Sequence, residues 1–136
     1  MRLKIKKTGS FKASQKYLDL IANSKVYDVA IDTPISFAAS LSSKLKNEVF
    51  LKREDLQPIF SFKIRGAYNK ISNLSTAQQK RGVLTASAGN HAQGVANACK
   101  KLKIPCLIVM PLTTPEIKVK SVKRFGAKVL LFGDNY

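Results

Sequence analysis

Two stretches of this 136-residue chain carry residue types that can do chemistry. The first is Ser61-Phe62-Lys63-Ile64-Arg65-Gly66-Ala67, and the second is Thr85-Ala86-Ser87-Ala88-Gly89-Asn90-His91-Ala92-Gln93-Gly94. Lys63 falls in the first turn of a predicted helix, where the positive end of the helix dipole disfavours an ammonium and helps a neutral amine to form. A neutral amine is what condensation with an aldehyde requires. In the second stretch, Gly89 and its small neighbours would let backbone N–H groups approach an anion, while Asn90 can hydrogen-bond a ring oxygen without adding charge. By spacing alone each residue also has a plainer reading. Lys63 fits a solvated surface lysine, Ser87-Ala88-Gly89-Asn90 an ordinary turn, and His91, the single histidine, a helix-start residue. Arg53-Glu54-Asp55 reads as a solvated charged turn.

The elements that must position these residues follow from hydrophobic spacing. Residues 13–26 carry Leu18, Ile21, Ala22 and Val26 at helical intervals, and Asp32-Thr33-Pro34 then forces an extended stretch, because the residue before proline avoids the helical region. A short helix is predicted over 38–45 and a strand over 48–52, ended by Arg53-Glu54-Asp55 and Pro58. Ser61 is a good N-cap for a helix over 62–74 with Ile64, Ala67, Tyr68 and Ile71 on one face. A helical piece over 76–81 stops at Gly82, a strand runs over 83–86, and a helix over 91–102 buries Val95, Ala98 and Leu102. An apolar strand over 106–110, a helix from Thr114 and Pro115 to Phe125 closed by Gly126, and a strand over 128–132 complete the pattern. Alternating strands and helices with short connections predict an α/β fold, a parallel sheet covered by helices on both faces. No internal repeat or low-complexity linker divides the chain, which reads as one domain or part of one.

Composition bounds the function. With 45% hydrophobic residues, 24% charged residues and two cysteines, the chain is neither a collagen, a disulfide scaffold nor a low-complexity disordered segment. No apolar run approaches the ~18 residues of a membrane span, and no signal-peptide core follows the first residues. These features predict a cytoplasmic protein with no membrane partner. The first eighteen residues are basic and free of acid until Asp19, as in a transit peptide, but they are Lys-rich where transit peptides are Arg-rich. Cys99 and Cys106 sit in a helical pattern and an apolar run, as reduced buried thiols do. The formal net charge of +16 invites a nucleic-acid reading. Nineteen of the 24 cations are Lys and they are scattered along the chain without interleaved aromatics, so no nucleic-acid partner is expected.

Lys52-Arg53-Glu54-Asp55-Leu56-Gln57-Pro58, then the Lys63 stretch through Tyr68, then the Asn90 stretch through Ala96, closely resemble the threonine dehydratases. These are fold-type II enzymes dependent on pyridoxal 5'-phosphate, with a tryptophan synthase β-like architecture. The resemblance runs from about Tyr17 to the last residue and includes Val109-Met110-Pro111 and Phe125-Gly126-Ala127-Lys128-Val129. Within that group it looks like the biosynthetic enzymes of isoleucine synthesis, threonine ammonia-lyases that convert L-threonine to 2-oxobutanoate and ammonia.

The resemblance implies that Lys63 would hold the cofactor through a Schiff base and shuttle the substrate's α-proton. Phe62 would pack near the cofactor, and Asn90 would hydrogen-bond its ring oxygen. Ser87, Ala88, Gly89, Asn90 and His91 would cradle the substrate carboxylate, mostly through backbone donors. It further implies a homo-oligomer, commonly a tetramer, for full-length members. Such enzymes also use a later glycine run for the cofactor phosphate, a later Ser or Cys facing the pyridine nitrogen, and a C-terminal regulatory domain. None of these has a counterpart in residues 1–136, which are therefore expected to be the N-terminal part of a catalytic domain, with 1–16 a flexible basic tail, and to be inactive alone. Serine dehydratase or serine racemase is the alternative within the same fold, and a non-catalytic basic RNA-binding remnant the alternative outside it.

Overall fold

The structure, a computed structural model, describes residues 11–135. Helix α1 (Phe11–Ala22) is followed by a 3-10 turn at Val26–Asp28 and strand β1 (Ile35–Phe37). Helix α2 (Ala39–Leu45), strand β2 (Phe50–Lys52) and a second 3-10 turn at Glu54–Leu56 lead to α3 (Lys63–Ser72) and α4 (Thr76–Arg81). Then come β3 (Val83–Ala86), α5 (Asn90–Leu102), β4 (Cys106–Met110), α6 (Glu116–Lys123) and β5 (Lys128–Leu131). Of the segment read as a basic tail, 1–10 lies outside the described residues and α1 begins at Phe11.

The predicted parallel sheet is β3-β4-β5. Leu84 pairs with Leu107 and Val109 with Leu130, all three strands running parallel. Strands β1 and β2 stand apart as an antiparallel pair, Ile35 opposite Lys52 and Phe37 opposite Phe50, whose rings lie 5.4 Å apart. The strand predicted over 48–52 forms over its last three residues, and it pairs with β1 outside the parallel sheet.

The core lies between α3, α5, α6 and one face of the sheet. Ile64, Ala67, Tyr68 and Ile71 of α3 are spaced i, i+3, i+4, i+7 and all are buried. Ala67, Tyr68 and Ile71 meet Ala92, Val95, Ala96, Ala98 and Cys99 of α5, while Ile108 and Met110 of β4 and Val119 and Val122 of α6 close the cluster; Ile64 packs instead in a second cluster with Ala30 and Ile59. Crossovers between neighbouring parallel strands are right-handed as a rule, which puts α5 and α6 on the same side of the sheet, and the two helices touch. The helices and the parallel sheet are those of an incomplete α/β domain. The other face carries Leu84, 68% exposed, Leu107, Val109 and Leu130 in adjacent register.

Helix α1 also departs from expectation. It ends at Ala22, and its apolar residues Leu18 and Ile21 are exposed, because among the described residues no strand or helix packs closely against α1. Both cysteines are free, Cys99 buried and Cys106 half-buried. No helix among the described residues is long and apolar enough to cross a membrane.

Candidate functional site

Lys63 is the first residue of α3 and is exposed. The turn that presents it is built from its neighbours. Ser61 is buried, and its Oγ accepts a hydrogen bond from the Lys63 backbone N–H at 3.2 Å, the capping role its residue type predicts. Phe62, already helical in its dihedrals, is 60% exposed, and its ring centre lies 5.5 Å from the Lys63 Nζ. Before them, Phe60 sits at φ +56°, left-handed backbone that a bulky residue enters only under constraint. Its N–H donates to the Gln57 carbonyl at 2.7 Å, so the chain doubles back here, turning Ser61 inward and Lys63 outward.

The second stretch folds as predicted, with a turn and then α5 starting at Asn90. The Ser87 Oγ accepts from the Gly89 N–H at 3.3 Å, and the Ser87 N–H is held by the Val109 carbonyl of β4. Ser87 and Ala88 are half-buried, whereas Gly89, Asn90 and His91 are exposed at the helix start. His91 borders a groove with Lys70, Arg81 and Thr85 that Lys63 does not line.

What joins the two stretches is Gly94. A Cβ at this position would meet the Lys63 carbonyl oxygen and the Ala67 Cβ, each at 3.1 Å. Helix α5 therefore crosses α3 against the backbone of the lysine-bearing turn, with Asn90 one helical turn, about 6 Å along the axis, before that crossing. The sequence places Gly94 in the motif, but spacing alone gives it no task.

Glu54 is the residue that local sequence misjudges. Arg53 and Asp55 do form the expected solvated pair, at 2.7 Å. Glu54 instead turns inward, and Arg65 clasps its carboxylate with two hydrogen bonds of 2.9 Å, Nε to Oε2 and Nη2 to Oε1. The Thr33 hydroxyl donates to the same carboxylate at 2.7 Å, and the Gln57 amide at 3.3 Å. Fully buried Gln57 also exchanges bonds with the Ile31 backbone, accepting from its N–H at 3.0 Å and donating to its carbonyl at 2.9 Å. The Arg65 guanidinium beside Glu54, helped by the Thr33 and Gln57 donors, holds the carboxyl down at about 2. Nothing in the run Arg53-Glu54-Asp55 distinguishes the middle residue, because its partner lies eleven positions on.

A family of pyridoxal-phosphate dependent enzymes matches residues 26–136. A biosynthetic chloroplastic threonine dehydratase of Solanum lycopersicum is 59% identical over 121 residues, covering 89% of this chain and 20% of that one. A biosynthetic L-threonine dehydratase of Pasteurella multocida is 56% identical over 121 residues, covering 89% and 24%. Among solved structures, the processed form of threonine deaminase isoform 2 from Solanum lycopersicum superposes with a TM-score of 0.86 at 51% identity, covering 93% of this chain and 35% of that one. Maize serine racemase superposes at 0.79 with 34% identity, covering 88% and 36%. The chain thus spans about a fifth to a quarter of the length of these curated relatives.

Proposed function

The chain belongs to the pyridoxal-phosphate dependent enzymes, and from that premise we propose that it forms the lysine-bearing part of a threonine dehydratase, acting on L-threonine to give 2-oxobutanoate and ammonia. One observation carries the reading: Gly94 brings the helix that begins at Asn90 against the backbone of Lys63, so that both chemically capable stretches belong to one place. The higher identity to threonine dehydratases than to serine racemase favours threonine over serine.

The residues present fit the cofactor. Lys63 offers an exposed amine, Phe62 an exposed aromatic face beside it, and Asn90 a neutral hydrogen-bonding side chain that leaves a ring oxygen's charge untouched. When bound, the pyridoxal ring supplies an electron sink for the pair left at the substrate's Cα. The chain's own part is positional. Lys63 Nζ would take the α-proton, which together with the departing β-hydroxyl makes up the water lost from the substrate, and the backbone donors from Ser87 to His91, at the start of the 13-residue α5, would take the substrate carboxylate. The seven glycines include no adjacent pair, so these residues offer no glycine run to cradle the cofactor phosphate. The same reading gives an enzyme that works as a homo-oligomer in the cytoplasm.

The test is to mix the purified chain with pyridoxal 5'-phosphate, reduce with borohydride and map the modified peptides. Label concentrated on Lys63 supports the reading. Label spread evenly over the nineteen lysines, or absent, refutes a cofactor site formed by these residues on their own. The 136-residue chain alone is expected to form no 2-oxobutanoate, and product formation that Lys63→Ala abolishes would overturn that expectation.

A further inference from the structure

We propose that the Glu54–Arg65 pair, with Thr33 and Gln57, is a positioning device that sets the direction in which Lys63 leaves α3; this rests on the reading of Lys63 as the cofactor-holding residue. Lys63 and Arg65 are two positions apart in the first turn, about 200° around the helix, so they project from opposite sides of it. Arg65 therefore grips the turn from behind. Its guanidinium is held bidentately by Glu54, lies 5.2 Å from the Tyr27 ring centre, and donates to the Ile31 carbonyl at 3.3 Å. Three separate segments, the turn at Val26–Asp28, the extended 31–33 stretch and the turn at Glu54–Leu56, thereby fix one side chain of α3.

That matters because an apolar helix face tolerates small rotations that a planar two-bond fork does not. A roll of about 10° moves a side-chain tip some 6 Å from the helix axis by about 1 Å. A misplacement of that size costs up to about 100-fold in a reaction that depends on orientation. The pair is half-buried, with side-chain exposures of 25% and 17%, and partly desolvated ion pairs are poor sources of net stability but good sources of geometric definition.

The experiment is borohydride-trapped labelling with pyridoxal 5'-phosphate in the 136-residue chain, read as label at Lys63 relative to the mean of the other lysines. The surface lysines are internal controls, and circular dichroism reports folding. Glu54→Gln and Arg65→Lys are expected to stay helical and to lower Lys63 enrichment about tenfold. Glu54→Asp, which keeps a carboxylate, is expected to recover part of it. Ile71→Val, in the core at the far end of α3, is expected to reduce stability and leave the enrichment unchanged. Enrichment that survives in folded Glu54→Gln overturns the positioning role alone, while absence of enrichment in the unsubstituted chain refutes a cofactor site formed by these residues on their own. If Glu54→Gln and Arg65→Lys do not fold, Thr33→Val decides: unchanged enrichment in that variant, or its failure to fold as well, assigns the network to stability and overturns the proposal.

Discussion

Replacing Gly94 by alanine tests the crossing on which the site depends. In an unobstructed helix, Gly→Ala stabilises by about 1 kcal/mol, since alanine restricts the unfolded chain and fits the helical backbone. At Gly94 the new methyl group would lie 3.1 Å from both the Lys63 carbonyl oxygen and the Ala67 Cβ. Neither neighbour is the free end of a flexible side chain, so relief requires α3 and α5 to separate by a few tenths of an ångström. Overpacking of this kind costs about 1–3 kcal/mol, which leaves Gly94→Ala between neutral and about 2 kcal/mol destabilised. Gly66, in α3, is the matched control, because a Cβ there meets nothing within 4 Å. Gly66→Ala is therefore expected to raise the melting temperature and Gly94→Ala to lower it by up to roughly 8 °C, as followed by circular dichroism. The two variants share helix type and chemistry, so the gap between them isolates the overpacking. A Gly94→Ala chain stabilised as much as Gly66→Ala, with unchanged labelling of Lys63, would refute the close crossing.

Three further outcomes follow from particular contacts. The Glu54 carboxyl sits below its ordinary 4.5 at about 2, so its contribution to stability is complete above the unfolded-state value and is lost as pH falls through that window. Acid melts should steepen there, and Glu54→Gln should flatten that part of the profile; an identical profile in the variant would contradict the pairing with Arg65. The Tyr68 hydroxyl, on an otherwise buried side chain, donates to Asp28 Oδ2 at 2.7 Å, and burial together with that carboxylate pushes its ionisation up to about 12. Tyr68→Phe should cost about 1–2 kcal/mol in urea unfolding, because Asp28 can turn to water once the bond is gone. The neighbouring Cys106, and then burial, push the Cys99 thiol up, while Cys99 beside it draws Cys106 down. A thiol reagent should therefore modify one cysteine quickly, at half-buried Cys106, and reach Cys99 only on unfolding; equal rates for both would argue against this packing.

What was legible in the sequence was what local spacing encodes. The i, i+3, i+4, i+7 run in α3, the β3 to β5 alternation with short connections, and the Ser61 cap each arise from residues within a few positions of one another, and each appears where the pattern puts it. The departures have a common physical origin in partners distant along the chain. Periodicity gives α1 an apolar face but does not say whether another element meets it, and Leu18 and Ile21 are exposed. Alternation likewise predicts the segment over 48–52 only as a strand, whereas β2 pairs antiparallel with β1 in a sheet of its own.

The site divides along the same line. Lys63 and Asn90 could be singled out because an amine and a neutral amide at helix starts offer candidate chemistry, and the resemblance of their stretches to the threonine dehydratases favoured that chemistry over a solvated lysine and an ordinary turn. Gly94 and Glu54 offer no such chemistry: one acts by lacking a side chain where another backbone passes, the other by a carboxylate that faces Arg65 eleven residues on and Thr33 twenty-one residues back. Residue type marks the groups that would touch a ligand, while the geometry that makes them effective is set by contacts between segments. Substitutions at Gly94 and Glu54 should therefore disturb Lys63 while leaving its amine and every neighbouring motif residue in place, and that is the effect the labelling experiment measures.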